Sequence, residues 1–218
     1  MSQPRKKIKL TSPKGSIKWF KLVKPDAKFK KYSVDLIVED TPELRKIMNA
    51  MEEAIKEAHA EAVEKATDFA KKKKIKIGDE RPIEEQLDAN GNPTGKFVMK
   101  FRAKSEGMNK EKEVYQIAPP MLFNSQAKPY SQEEKQRLTV FNGSIGQVSF
   151  ELVPYALATG AVGASIKPTA CMIHKIQQAD ADASEFGFSA SERESGDEES
   201  EFETEAKQEA SEASNEDF

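Results

Sequence analysis

Residues 31–39 read KYSVDLIVE, and this stretch sets the expected architecture. Apolar side chains occupy every second position from Tyr32 to Val38, which is the period of a β-strand with one face in a protein core. The preceding stretch, residues 15–23 (GSIKWFKLV), also has strand composition, and a turn signal begins at Pro25. We therefore expect these two segments to pair.

Downstream of this pair, the sequence predicts one long helix over residues 41–74. Thr41 supplies an oxygen that can cap the first free amide, and Pro42 suits the first helical position. Apolar residues then recur every three or four positions, at Leu44, Ile47, Met48, Met51, Ile55, Ala58, Ala62 and Phe69. The four lysines at 71–74 suit a helix C-terminus, where positive charge is electrostatically favourable. The alternative interpretation is that these lysines form a phosphate clamp.

The second half of the chain returns to strand character after a loop expected at residues 78–95. Residues 96–104 (KFVMKFRAK) alternate strictly, and later segments rich in Val, Ile, Phe and Tyr add roughly three or four strands. This pattern indicates a mainly β fold, and the leading candidate is an OB-fold, a five-stranded and partly open barrel with one long inserted α-helix.

Charge is distributed unequally along the chain. Residues 179–218 carry 15 acidic against 2 basic residues, a net charge of -13, whereas residues 1–178 carry 32 basic against 22 acidic residues, a net charge of +10. We expect a folded nucleic-acid-binding domain over 1–178 and a disordered acidic interaction tail over 179–218. The alternative is that the tail only keeps the protein soluble.

Few residues could support catalysis or metal binding. Cys171 is the single cysteine, which excludes an intramolecular disulfide. Together with His59 and His174 it gives three candidate ligands, which is too few for a four-ligand zinc site. No carboxylate pair stands out for acid–base chemistry. We expect no enzyme activity, no metal, no cofactor, no membrane partner, and a reducing cytoplasmic compartment.

Aromatic residues interleaved with cations are the strongest functional signal. Single-stranded nucleic acid needs cations along its phosphates and ring faces against its unpaired bases. The candidate DNA-binding residues are Lys18, Trp19, Phe20, Lys21, Lys28, Lys30, Lys31, Tyr32, Lys100, Arg102, Lys104, Tyr115 and Tyr155. Trp19 and Phe20 are adjacent in a strand, so at least one of them must be exposed.

Three stretches together resemble the single-stranded-DNA-binding proteins of bacteriophages related to the short-tailed T-odd group. They are SPKGSIKWFKLVKPDAKFKKYSVDLIVED, NGSIGQVSFELVPYALATGAVGASIKPTACMIHKI and the acidic end EDF. The ordered residues that carry the resemblance are Gly15, Pro25, Asp26, Phe29, Tyr32, Gly143, Ser144, Pro154, Tyr155 and Gly160.

This resemblance implies an OB-fold that binds single strands in the host cytoplasm during phage DNA replication and recombination, without catalysis. It also implies that the tail, through Glu216, Asp217 and Phe218, docks replication proteins such as polymerase, primase and helicase, and occupies the basic groove when DNA is absent. The tail is long for this role, and a homodimer is left open. The competing functions are a protein–protein adaptor or scaffold and an RNA-binding chaperone of the cold-shock type.

Overall fold

The computed structural model describes residues 8–66, 74–109 and 111–177, and the predicted acidic tail lies outside them. The described part contains eleven strands and two helices. The strands are β1 (Ile8–Thr11), β2 (Gly15–Asp26), β3 (Lys31–Glu39), β4 (Lys76–Ile77), β5 (Ile83–Leu87), β6 (Pro93–Lys104), β7 (Glu106–Met108), β8 (Val114–Gln116), β9 (Met121–Phe123), β10 (Ile145–Ala156) and β11 (Ala161–Lys175). The helices are α1 (Pro42–Lys65) and α2 (Gln132–Arg137).

Five of the strands form a ring in the order β2, β3, β6, β11 and β10. The expected β2–β3 pairing is present, and β3 and β6 pair over their full overlap, from Lys31 opposite Lys104 to Glu39 opposite Lys96. The ring is completed by two short pairings, β2 with β10 and a parallel contact between β6 and β11. The predicted mainly β fold class is therefore confirmed, and the ring is consistent with an OB-like fold.

The core of the protein is the interior of this ring. The alternation read in residues 31–39 places Tyr32, Val34, Leu36 and Val38 inside, with the intervening side chains outside. The Phe101 and Phe150 rings meet at the centre, with centroids 5.3 Å apart and planes tilted by 58°. Outward-facing positions on β3 and β6 are therefore left for charged and polar side chains.

Helix α1 connects β3 to the strands that follow and packs against β10 and β11. The Thr41 hydroxyl accepts a hydrogen bond from the Leu44 amide, as expected for an N-cap. The helix ends at Lys65 rather than near residue 74, and residues 67–73, with three of the four lysines, lie outside the described residues. No described helix is long and apolar enough to cross a membrane.

Strand β5 and helix α2 are among the elements that the sequence patterns missed. Strand β5 lies within the expected 78–95 loop and pairs with β6. Its sequence contains the polar run EEQ and lacks the alternation of apolar and polar residues that predicts a strand. Helix α2 has no buried residues, so it lacks an apolar stripe, but Ser131 and Glu134 form a capping box that sequence reading could have found.

Candidate nucleic-acid interface

Trp19 is turned outward by an irregularity in β2. Between the Lys18–Asp35 and Lys21–Ser33 pairs, β2 contains one more residue than β3, and Trp19 adopts a left-handed φ of 51°. The Trp19 amide donates a hydrogen bond to Asn142 Oδ1 at 3.1 Å, which ties this bulge to the loop before β10. The Trp19 side chain is 64% exposed, as one of the two adjacent rings had to be.

The β2–β3 turn presents a second ring, that of Phe29. Asp26 Oδ1 accepts hydrogen bonds from the backbone amides of Lys28, at 2.9 Å, and Phe29, at 3.0 Å. The other carboxylate oxygen of Asp26 pairs with the Lys21 ammonium. The Lys21 contact and then the Phe29 amide lower the pKa of the Asp26 carboxyl to about 2, so it is ionised at neutral pH. Asp26 therefore holds the turn that leaves Phe29 62% exposed.

Trp19 and Phe29 line one cavity of about 350 Å³, which we call the Trp19 cleft. Its polar wall comes from Lys21 and Lys31, with Ser33 and Arg102 behind them. Two exposed rings and several cations around one concavity can accommodate a flat base together with its phosphate.

A second cavity of about 380 Å³, the Tyr155 cleft, adjoins the first, since Arg102 lines both. Lys100 and Tyr155 are on its walls, with Ala164 and Ser165 of β11. A Cβ at Gly163 would be 2.7 Å from Tyr155 Oη, so the tyrosine ring lies against that glycine's backbone. We refer to the Trp19 and Tyr155 clefts together as the groove.

Several groove cations are already paired with carboxylates of the protein. Arg102 Nη1 contacts Asp35 Oδ1 at 2.5 Å, and Lys100 pairs with Glu84. Lys30, on the turn beside the cleft, pairs with Glu106 at 3.2 Å. Lys31 and Lys104 pair with no carboxylate within residues 8–66, 74–109 and 111–177, and they are opposite each other on β3 and β6.

Three of the predicted residues lie elsewhere. Tyr32, one of the predicted DNA-binding residues, is 6% exposed, and its hydroxyl donates a hydrogen bond to the Ile117 carbonyl at 3.3 Å, so its ring lies in the core and presents no face to a base. Phe20 is half-buried against the core and does not line the groove. Tyr115 is 54% exposed on the β7–β8 hairpin, outside both clefts, although the Lys30–Glu106 contact connects that hairpin to the turn.

The remaining predicted cations are on the groove side without lining a cleft. Lys18 is on the outer face of β2, opposite Asp35, and Lys28 Nζ is 5.4 Å from the centroid of the Phe29 ring. Phe29 itself was not among the predicted site residues, although its position between Lys28 and Lys30 and beside the turn-forming Asp26 was a usable signal.

Within the described residues, no cysteine or histidine lines either cleft of the groove, and the groove has no metal centre. Cys171 is fully buried on β11, and this burial raises the pKa of its thiol to about 12. His174 is also on β11, where burial and then Lys14 lower its pKa, and its ring bonds to Gln147. No group of three or more His, Cys, Asp or Glu side chains is placed to hold a metal ion within the same residues.

Comparison with solved structures shows where this fold occurs. The crystal structure of gp2.5, a single-stranded DNA-binding protein encoded by bacteriophage T7, matches with a TM-score of 0.66 and 21% identity, over 86% of this chain and 97% of that chain. The single-stranded DNA-binding protein from bacteriophage Enc34 in complex with ssDNA matches with a TM-score of 0.51 and 14% identity, over 78% of this chain and 88% of that one.

A C-terminally truncated Enc34 protein matches with a TM-score of 0.53 and 13% identity, over 78% of this chain and 87% of that one. No curated protein sequence matches this chain.

The family model described as single-stranded DNA-binding protein, bacteriophage T7, matches residues 17–177. This match covers well over half of the chain and includes both clefts of the groove. The chain therefore belongs to the family of bacteriophage T7 single-stranded DNA-binding proteins.

Proposed function

We propose that this protein binds and protects single-stranded DNA, without strong sequence preference, during phage DNA replication and recombination in the host cytoplasm. The observation that carries the proposal is the groove, which Trp19, Phe29 and Tyr155 line together with Lys21, Lys31, Lys100 and Arg102. Family membership and the Enc34 complex with ssDNA support the same ligand.

The chemistry of the groove favours unpaired bases over a duplex. Trp19 and Phe29 present exposed ring faces, and such faces can stack only on bases that are not already stacked in a double helix. The groove is lined by strands and turns, and no described helix projects from it to enter a major groove. Stacking accepts any base, so little sequence preference is expected.

Phosphate recognition falls to two kinds of cation. Lys31 and Lys104 can meet phosphates directly, since neither has a carboxylate partner among the described residues. Arg102 and Lys100 must exchange Asp35 and Glu84 for phosphates. Binding should therefore weaken as salt rises, since each phosphate contact releases condensed counterions.

The acidic tail adds a regulatory part to the proposal. With a net charge of -13, residues 179–218 compete with DNA for the basic groove, and bound DNA releases the tail to recruit replication proteins such as polymerase, primase and helicase. Glu216, Asp217 and Phe218 form the docking end, where an aromatic ring and carboxylates can meet an apolar pocket with a basic rim.

The test is a titration of fluorescent oligo-dT with the full-length chain and with a chain ending at Gln178, at low and moderate salt. Matched duplex DNA and oligo-U are the competitors. We expect both chains to prefer the DNA single strand and the shorter chain to bind it more tightly. If neither chain binds any oligonucleotide in a salt-dependent way, the adaptor or scaffold function is favoured instead. If both chains prefer oligo-U to oligo-dT, the RNA chaperone function is favoured.

Partner recruitment is tested separately by measuring the affinity of the full-length chain for purified replication proteins, with and without oligo-dT. Deleting Phe218 should weaken these complexes without weakening DNA binding. The homodimer stays a prediction, which sedimentation of the full-length chain tests.

A further inference from the structure

A third concavity of about 490 Å³ shares Lys21 and Asp26 with the Trp19 cleft. It is bounded by the end of β2 and by the segment that contains and follows α2. Phe20 and Val23 from β2 meet Leu138 and Val140 in its lining, and all four are half-buried against the core. We call this concavity the side pocket.

The side pocket is apolar on its floor and positive on its walls. Lys24 and Lys135 both line it, and neither is paired with a carboxylate within the described residues. Among the described residues, the only carboxylate in its lining is that of Asp26, which accepts hydrogen bonds from Lys21 and from two backbone amides. The pocket is therefore complementary to an anion that also carries an apolar surface.

The side pocket is also continuous with the groove. The Lys21–Asp26 ion pair is the boundary between the two concavities, since both residues line both of them. The loop after Val140 adds a 42% exposed ring, Phe141, and then Asn142, which binds the amide of Trp19. One short segment thus connects the side pocket to the bulge that exposes Trp19.

We propose that a bound single strand leaves the Trp19 cleft over the Lys21–Asp26 pair and places further nucleotides in the side pocket. The phosphates lie beside Lys24 and Lys135, and a base packs on the apolar floor with Phe141 near its edge. The inference rests on the proposed function, because it extends the same bound strand. A nucleotide matches both the cationic walls and the apolar floor, and the shared Lys21 and Asp26 place the two concavities side by side.

Two reporters can separate the side pocket from the groove. Trp19 is the single tryptophan of the chain, so intrinsic fluorescence reports on the Trp19 cleft. Thr139→Cys places a thiol at an exposed position in the side-pocket lining, where a fluorophore can be attached. Labelling is selective because Cys171 is fully buried and its thiol pKa is raised to about 12.

The experiment compares oligo-dT of about 4 and about 12 nucleotides, lengths within the range of single-strand sites on OB-folds. We expect both lengths to quench Trp19 and only the longer one to change the signal of the label at residue 139. A label that responds equally to both lengths, or to neither, overturns the inference. If Trp19 also fails to respond, the proposed function itself has failed.

The second arm uses a double variant, Lys24→Ala with Lys135→Ala, titrated by anisotropy. Loss of two single-strand phosphate contacts should weaken binding of the longer oligonucleotide by about 10- to 30-fold at ~0.1 M salt and leave the shorter one unchanged. The matched control is Lys46→Ala with Lys56→Ala, which removes two exposed lysines of α1. Equal losses in the two double variants would mean that only net charge matters, and would overturn the inference.

A poly-glutamate peptide tests the other occupant that the charge would allow. We expect it to leave the label at residue 139 unchanged at the concentrations where the longer oligonucleotide acts. A response to the peptide without a response to DNA would assign the side pocket to an acidic protein partner instead.

Discussion

Truncating the two rings of the Trp19 cleft gives a strong test of base stacking. Trp19 and Phe29 are 64% and 62% exposed, so Trp19→Ala and Phe29→Ala leave no cavity in the core and should hardly change the free energy of unfolding. Stacking on one aromatic ring contributes about 1–3 kcal/mol per base. Each variant should therefore bind oligo-dT about 5- to 150-fold more weakly.

The double variant tests whether both rings contact the same base. They line one cavity of about 350 Å³, so removing either ring should already loosen the base that the other contacts. The combined loss should then be smaller than the sum of the two single losses in binding free energy. Rings that stack on separate bases would give an additive loss instead.

The assay is anisotropy of a labelled oligo-dT over a series of salt concentrations. Because the rings contact no phosphate, the slope of log affinity against log salt should stay unchanged in all three variants. Leu87→Ala, which truncates a 55% exposed apolar side chain on β5 outside the Trp19 cleft, is the control. Wild-type affinity in the double variant would refute the stacking role of the cleft.

Individual contacts give four further predictions. Lys31→Ala should reduce the salt slope by about 0.7, the value for one single-strand phosphate contact, and an unchanged slope would remove Lys31 from the interface. Asp26→Ala should bind oligo-dT more weakly than Asp26→Asn, because only the amide can still accept the Phe29 N–H and hold the turn; a simple charge effect would make the two equal. The pKa of Asp26 is lowered from 3.8 to about 2, so its contribution to stability is complete above about pH 4 and is lost as the pH falls through about 2. The affinity for oligo-dT, measured by anisotropy from pH 5 to 8, should therefore show no transition from this group. Phe101→Ala should lower the free energy of unfolding by about 3–5 kcal/mol in a denaturant titration, since it empties the centre of the ring opposite Phe150; a loss below about 1 kcal/mol would contradict that packing.

The sequence predicted the parts of the fold that have a regular period. Alternation in β3 and β6 and the apolar stripe of α1 identified the core faces, because burial on one side leaves a repeating pattern. The end of α1 was placed too late, because composition stays helical beyond Lys65. Strand β5 was missed because pairing with β6, and not burial, keeps it extended.

The candidate site was predictable as a region but not residue by residue. Clustered cations and rings indicated the β2–β3 hairpin, where the Trp19 cleft lies, yet the extra residue in β2 decides that Trp19 points outward while Phe20 turns toward the core. Tyr32 shares the buried face of β3 with Val34, and strand alternation had already indicated that it would be inside. The Arg102–Asp35 pair depends on the β3–β6 register, which pattern alone does not give.

The ion pairs of the groove bear on how quickly a strand can leave it. When DNA departs, Arg102 and Lys100 do not remain as bare cations, because Asp35 and Glu84 are in place to receive them. This return of native partners stabilises the empty state and lowers the energetic cost of dissociation. If the protein coats a strand and yields it to another enzyme, as the proposed function has it, such an arrangement helps, because each native ion pair competes with a phosphate and shortens the residence time on the DNA.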